Sequence, residues 1–146
     1  MSAGLAVFDT TVQQSNEWLK LVEARLKPCD RQQAYGALRA VLHVLRDRLP
    51  PEAVLGLSAQ LPMLLRGLYL EGWRSADGPS DLRSLQDFAD AVAERLPPAF
   101  PRQPNEAAEA VFAALAARLD PGEVRKIIEH LPTPLRRAWP TEHQVA

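Results

Sequence analysis

The fold is decided by residues 34–73, which read AYGALRAVLHVLRDRLPPEAVLGLSAQLPMLLRGLYLEGW. Apolar residues recur in this stretch at spacings of three and four, which is the periodicity of an amphipathic helix. Prolines stand at Pro50, Pro51 and Pro62. Proline ends a helix in its interior but is tolerated at a first helical position. The stretch therefore predicts a long helix up to Leu49, followed by two shorter helices that begin beside the prolines.

The pattern of residues 18–69 returns, without a gap and at an offset of 70, in residues 88–139. Between residues 34–69 and residues 104–139, 12 of 36 positions are identical. A duplicated segment keeps the positions that its packing requires and lets the others change. The repeat therefore predicts two similar helical halves.

We expect an all-α protein, an internally duplicated helical bundle whose two pseudo-symmetric halves have about four helices each. Residues 1–146 are expected to form a single domain, with a first repeat at about 8–73 and a second at about 82–140. The linker between them, residues 74–81, is rich in Gly, Pro, Ser and Asp. Each half is near the size at which a core is marginal alone. We therefore expect the halves to pack face to face around one shared core, rather than as two independent subdomains.

Capping residues predict where several helices begin. Thr11 and Gln14 have the spacing of a capping box, so we expect the first helix to run from Thr11 to about Lys27. Asp120 and Pro121 combine an N-cap residue with a proline at the first helical position, which is the strongest start signal in the chain. Further helix starts are predicted at Asp30, Ser84 and Asn105. The side of the first helix expected to be buried carries Val12, Trp18, Leu19, Val22 and Leu26.

The composition is that of an ordinary globular protein with a formal net charge of −1. This charge disfavours nucleic-acid binding, because proteins that neutralise phosphates usually carry a basic excess. No apolar run approaches the ~20 residues of a membrane span, and the first residues lack the basic start of a signal peptide. The single cysteine, Cys29, suits a reducing compartment. We therefore expect a cytoplasmic protein without a membrane partner.

Together with residues 34–73, two later runs carry a family resemblance: AVFAALAARLDPGEVRKIIEHLP at 110–132 and LRRAWP at 135–140. The chain resembles the bacterial family named domain of unknown function 2267 over about residues 8–140. The proline-rich segment 97–104 departs from the short turn usual in that family. The resemblance implies an all-helical, internally duplicated fold and assigns no activity.

Residues that could support catalysis or metal binding are scattered. His43, His130 and His143 lack the clustered spacing of a zinc site, so we expect solvated or helix-end histidines. Cys29 lies at a helix start that could lower its pKa, but no catalytic companion is near it in sequence. Phosphate-binding glycine loops and the GxSxG motif are absent from the sequence. We therefore expect neither an enzyme nor a cofactor or metal site.

An arginine and an aromatic residue recur, three positions apart, after each Leu-Pro corner. Residues at this spacing share one helix face, and both residue types are enriched in interaction hot spots. The candidate partner-binding residues are Arg66, Tyr69, Trp73, Arg136, Arg137 and Trp139. Alternatively, the arginines brace carbonyls at a helix end while the rings fill the core. Duplication favours this packing alternative, since packing positions are what both halves would keep.

The sequence favours a non-enzymatic protein-interaction or adaptor module, with self-association as one form of it. A pseudo-two-fold domain offers two similar grooves that are suited to gripping a helix or building an assembly. The alternative is a small-molecule sensor with a pocket between the two helical halves. An apolar cavity near the junction would support this alternative. DNA binding would need a basic face that acidic residues interrupt. That basic face would consist of Arg118, Arg125, Lys126, Arg136 and Arg137.

Overall fold

The computed structural model describes residues 4–140 and shows within them eight α-helices, one short 3₁₀ helix and no strand. The α-helices are α1 (Ala6–Arg25), α2 (Arg31–Arg48), α3 (Pro51–Gln60), α4 (Met63–Leu70), α5 (Leu85–Arg95), α6 (Pro104–Arg118), α7 (Pro121–Glu129) and α8 (Thr133–Arg136). The 3₁₀ helix, Ser75–Asp77, lies in the linker. The predicted all-α class is confirmed. None of the helices in the described range combines the length and hydropathy that a bilayer crossing requires.

Helix boundaries recur at the sequence offset of 70 residues. α2 ends at Arg48 and α6 at Arg118, while α3 begins at Pro51 and α7 at Pro121. The last pair differs in length, because α4 has 8 residues and α8 has 4. The recurrent boundaries agree with an internal duplication, which itself stays a prediction from the sequence.

The two halves pack against each other mainly through their long helices. α1 lies against both α2 and α6, and α2 lies against α5 and α6. α3 meets α7 in a further contact between the halves. One hydrophobic cluster contains Val22 and Leu45 from the first half together with Val92 and Leu115 from the second. A single core therefore serves both halves.

Aromatic rings fill the second half of this core. Phe88 and Phe112 have ring centroids 5.5 Å apart and are tilted to each other. Trp139 stacks on Phe112 at a centroid distance of 4.4 Å, with the two rings nearly parallel. These contacts tie α5, α6 and the end of α8 together, since aromatic pairs in such geometries add to the energy of burial.

One helix start predicted from capping residues is wrong, and one that is confirmed lacks the expected capping hydrogen bond. α1 begins at Ala6 rather than at Thr11, and its N-cap residue makes no side-chain cap. The Thr11 hydroxyl instead accepts a hydrogen bond from the Leu64 amide at 2.9 Å. It thereby satisfies one of the amides that the first turn of α4 leaves without an intrahelical partner. Asp120 precedes α7 as expected, but its side chain makes no capping hydrogen bond.

Other predicted starts are confirmed. Asp30 Oδ1 accepts from the Gln33 amide at 2.8 Å, and Gln33 Oε1 accepts from the Asp30 amide at 3.0 Å. Ser84 Oγ accepts from the Asp87 amide at 2.9 Å, at the start of α5. α6 begins at Pro104, one residue before the predicted position. These starts are specified locally, which is why the sequence predicts them.

The end of the linker and the residue that follows it are held against α2 by two hydrogen bonds. The Ser80 amide donates to the Asp47 carbonyl at 2.6 Å, and Arg48 Nε donates to the Leu82 carbonyl at 2.6 Å. Between α4 and these bonds the chain turns at Gly72 and Gly78, which have φ values of +76° and +63°. Glycine adopts this left-handed region without steric cost. The linker therefore forms a wall beside α2.

Candidate functional site

The two recurrent arginines brace helix corners. Arg66 Nε donates to the Ser58 carbonyl at 3.0 Å, and its Nη2 donates to the Leu61 carbonyl at 3.2 Å. Arg136 Nε donates to the Leu131 carbonyl at 3.0 Å. These carbonyls lie at the ends of α3 and α7, where a helix leaves acceptors without an intrahelical partner. The packing alternative therefore describes both arginines.

The two recurrent aromatic residues are in the core. Tyr69 is fully buried, and its hydroxyl donates to a backbone carbonyl of α3 at 3.1 Å. Trp139 is buried and stacked on Phe112. Their assignment as partner-binding residues is therefore corrected to core packing. Of the remaining candidates, Trp73 is partly buried beside a cleft described below, and Arg137 is exposed.

The candidate catalytic and metal-binding residues lie apart. Cys29 is buried, and burial, followed by the nearby Glu23 carboxylate, raises the pKa of its thiol, although a helix start by itself could have lowered it. His43 is buried within α2 rather than solvated or at a helix end, whereas His130 is exposed at the end of α7. His143 lies outside the described residues. Residues 4–140 contain no cluster of three or more His, Cys, Asp or Glu that could hold a metal ion.

Two grooves lie at equivalent positions of the two halves. The first-half groove, between α1, α2 and α4, has a volume of about 360 Å³. The second-half groove, between α5, α6 and α8, has a volume of about 430 Å³. Residues that line the two grooves at matching repeat positions are Ser15 and Leu85, Asn16 and Gln86, Leu19 and Ala89, Tyr35 and Asn105, and Leu68 and Ala138.

Apolar exposure is concentrated on the first half. Val12 and Leu64 line the first-half groove with exposed fractions of 46% and 51%, so the expectation that Val12 is buried is wrong. The large apolar residues exposed in the described chain are Leu5, Val7, Phe8, Val12, Leu21, Tyr35, Leu55, Met63, Leu64 and Leu85. Of these residues, Leu85 is the one that belongs to the second half of the described chain. A large exposed apolar patch on a globular protein marks an interaction site or another binding surface.

The apolar stripe of α1, which consists of Leu5, Phe8, Val12 and Leu19, runs into the first-half groove. Leu5 is the residue before the helix and has an extended backbone, whereas Phe8 and Val12, four residues apart, lie on one helix face. Val12 and Leu19 form one wall of the groove. The early start of α1 at Ala6 places Phe8 on the same helix as this wall.

Sequence reasoning missed this face, although a signal for it is present. At several positions the first half has an exposed apolar residue where the second half has a polar residue or proline. On the face, these pairs are Tyr35 and Asn105, Met63 and Thr133, and Leu64 and Pro134; Leu55 and Arg125 form a further such pair on α3 and α7. Because α6, α7 and α8 form without apolar residues at these positions, packing does not require them. Comparing what the halves do not share would have pointed to the face.

The floor of the first-half groove contains a buried hydroxyl. Ser15 is 3% exposed, and its Oγ has no hydrogen-bond partner among the described residues. The repeat position in the second half is Leu85. A buried hydroxyl without a partner costs free energy, so this serine weakens the folded state.

The junction cleft lies between α2, the linker and the end of α5, and has a volume of about 510 Å³. Its residues come from both halves and from the linker, and its character is polar. The charged residues that line it are Arg39, Arg46, Asp47, Glu71, Arg74, Asp77 and Arg95; His43, Trp73 and Ser80 also line it. A pocket between the halves was expected to be apolar, and this one is not.

Arg46 lies at the base of the junction cleft and is only 4% exposed. Its Nη1 donates to the carbonyls of Tyr69 at 2.9 Å and Glu71 at 2.8 Å, which caps the end of α4. Its Nε donates to Asp47 Oδ1 at 2.8 Å. Arg46 therefore joins α2 to the end of α4 while its charge remains at the cleft.

His43 completes the capping of α4. Its Nε2 lies 2.7 Å from the Leu68 carbonyl, and because a carbonyl only accepts, Nε2 carries the hydrogen. Burial lowers the pKa of His43, and the guanidinium group of Arg46 lowers it further against the opposing effect of the hydrogen bond. His43 is therefore neutral at neutral pH. The repeat positions of His43 and Arg46 are Ala113 and Ala116.

Comparison with known proteins identifies the family of this chain. No curated protein is significantly similar to this chain. A family described as "Uncharacterized conserved protein (DUF2267)" has a sequence model that matches residues 15–138. This match covers both halves, the linker and all but the first turns of α1. The chain therefore belongs to the DUF2267 family.

Proposed function

We propose that this protein is a non-enzymatic interaction module that self-associates through the apolar face of its first half. This face consists of the α1 stripe, the first-half groove and the neighbouring Met63. The observation that carries the proposal is the concentration of exposed large apolar side chains on this half. Leaving such a patch in water is unfavourable, and covering it recovers roughly 25 cal/mol for each Å² of apolar area.

A second copy of the chain is the occupant that fits this face. The α1 stripe offers apolar side chains on a helix, and the groove beside it accepts apolar side chains. A helix binds an apolar groove through anchors at spacings of three, four and seven, and Phe8 and Val12 provide a pair four residues apart. Because one surface carries both elements, two copies can cover each other's faces in a closed two-fold dimer.

The test is the mass of the protein in solution, measured by sedimentation over a range of concentrations. We expect the wild type to show twice the 16.2 kDa of the chain. Leu64→Lys places a charge on an exposed groove position and should give a monomer, because burying an unpaired charge in an apolar interface is costly.

Leu85→Lys is the matched control, since Leu85 is exposed in the second-half groove. This variant should sediment like the wild type. A wild type that stays monomeric at the highest concentrations, or a Leu64→Lys variant that still dimerises, would contradict the proposal.

A second candidate function is a small-molecule sensor. The junction cleft favours it, because this pocket is lined by both halves, so a bound ligand would contact both. The buried Arg46 at its base is a charged group of the kind that orients ligands in such sites. For either function we propose a cytoplasmic location, which the single cysteine supports.

A further inference from the structure

We propose that the junction cleft binds a small molecule through an oxyanion group, a carboxylate or a phosphate, held by Arg46 and Arg95. The inference rests on the sensor candidate and is independent of self-association through the first-half groove. The cleft and that groove are separate pockets, with Glu71 the residue they have in common.

The charges inside the cleft do not balance. Asp47 is shared by two guanidinium groups, with Oδ1 at 2.8 Å from Arg46 Nε and Oδ2 at 3.5 Å from Arg95 Nη2. Glu71 is paired with Arg39 at 2.9 Å. Three guanidinium groups therefore meet two carboxylates, which leaves one positive charge without a counterion from the protein.

The other ionisable groups of the cleft leave this balance unchanged. Arg74 and Asp77 carry opposite charges and form no ion pair within the described chain. His43 is neutral, because burial and the guanidinium groups of Arg46, Arg39 and Arg95 keep its pKa below the usual value. The cleft as a whole therefore favours a group with a single negative charge.

Arg46 has donors left for a ligand. Nε and Nη1 are occupied by Asp47 and by two carbonyls, whereas Nη2 makes no hydrogen bond within residues 4–140. A nearly buried guanidinium group is stable only when its charge is compensated and its donors are satisfied. An oxyanion suits it because guanidinium donors match carboxylate and phosphate oxygens in geometry. The buried Ser80 hydroxyl, which has no partner in the part of the chain that the structure describes, is a further polar group in the cleft wall.

Packing does not demand this polar set. At the repeat positions of His43 and Arg46, α6 has Ala113 and Ala116, and α6 packs into the same core. Burying a charged residue and a histidine where alanine serves in the other half carries a desolvation cost. Capping of α4 accounts for His43 Nε2 and Arg46 Nη1, and an anionic ligand accounts for the remaining donor, Arg46 Nη2, and for the excess positive charge.

Trp73 reports on the site. It is partly buried and lines the cleft, whereas Trp18 and Trp139 are buried in the core. The experiment follows the indole N–H signals of the isotope-labelled full-length protein by nuclear magnetic resonance, with Trp73→Phe assigning the Trp73 signal. Sodium phosphate and disodium succinate are added in separate titrations, with sodium chloride at equal ionic strength as the reference.

We expect at least one of the two anions to move the Trp73 signal in a saturable way, with no such response to chloride. The anion that binds more tightly shows whether the site recognises a phosphate or a carboxylate. Arg95→Gln removes one donor group and should weaken binding about tenfold or more, the usual effect of losing a charge-assisted hydrogen bond. Arg25→Gln, at the repeat position of Arg95, is the matched control and should leave the affinity unchanged.

A second readout separates ligand binding from a purely structural role. An anion beside Arg46 and Arg95 offsets their charge, so the pKa of His43 should rise when the site is filled. Absence of saturable binding for both anions, equal affinities in Arg95→Gln and Arg25→Gln, or a His43 pKa that does not respond to saturating anion would each overturn the inference. Leu64→Lys should bind the anion normally, so failure of self-association and failure of anion binding are distinguishable.

Discussion

Buried polar residues distinguish the two halves at the scale of single residues. Within the described chain, the buried polar residues are Thr11, Ser15, His43, Arg46 and Ser58, and all of them precede the linker. The repeat positions of Ser15, His43 and Arg46 are Leu85, Ala113 and Ala116. Since alanine or leucine serves there in the second half, the polar residues of the first half act beyond core packing. The polar side chains of Thr11, His43 and Arg46 cap α4, a helix to which none of them belongs.

Ser15→Ala is expected to raise the free energy of unfolding by about 1 kcal/mol. The substitution removes a buried hydroxyl that has no partner within the described chain and places a better helix former in α1. Urea denaturation followed by circular dichroism measures the change. Thr11→Ala, one turn away, is the contrasting variant and should lower stability by about 1 kcal/mol, because it uncaps α4. A loss of stability in Ser15→Ala would show that its hydroxyl has a partner in solution.

Close approach between elements depends on one glycine of α2. A Cβ built on Gly36 would lie 2.8 Å from Cδ and 2.9 Å from Cγ of Pro97. The proline-rich segment 97–104 therefore packs directly onto α2, and Gly36 is required by this contact. At Gly56, on α3, a Cβ would meet nothing within 4 Å.

Alanine at these two glycines should have opposite effects. Gly36→Ala is expected to lower the free energy of unfolding by about 1–3 kcal/mol, since Pro97 or α2 must shift. Gly56→Ala should raise it by about 0.5–1 kcal/mol, because alanine loses less backbone entropy in a helix. Chemical denaturation of both variants provides the comparison. If both variants were stabilised by a similar amount, the segment around Pro97 would be able to move away from α2 at little cost in free energy.

The shared core determines the stability of the whole molecule. α1 packs on α6 and α2 packs on α5, so each half buries its apolar side chains partly against the other. Chains much shorter than a typical domain bury a smaller share of their surface and are marginal alone. Neither half is therefore expected to keep its structure by itself.

Fragments that span residues 4–73 and 82–140 test this dependence. Each alone should show weak helicity by circular dichroism and no cooperative thermal transition, because the partner surface of its core is missing. Mixing the two fragments should restore helicity, because each supplies the surface that the core of the other lacks. A fragment that unfolds cooperatively at the temperature of the full chain would show that its half folds independently.

Local signals account for the parts of the fold that the sequence predicts. The proline at Pro51 and the capping box of Asp30 and Gln33 act within a few residues, and α3 and α2 begin where they indicate. Thr11 misled the prediction because its hydroxyl caps a helix distant in sequence. The role of Arg66 and Arg136 in bracing helix corners was one of the two alternatives drawn from the sequence, because the repeat retains both arginines.

Periodicity, prolines and caps are local properties, so the helical class, most helix boundaries and the recurrence of one pattern in two halves follow from the sequence alone. Which faces remain exposed and which charges meet depends on the packing of the helices. Tyr69 and Trp139 each lie three residues after an arginine, a spacing that two surface residues on one helix face would also have. Both are nevertheless buried. The first-half groove and the junction cleft join residues from separate helices and from the linker. Burial and charge pairing depend on neighbours distant in the chain, and only the packed fold supplies those neighbours.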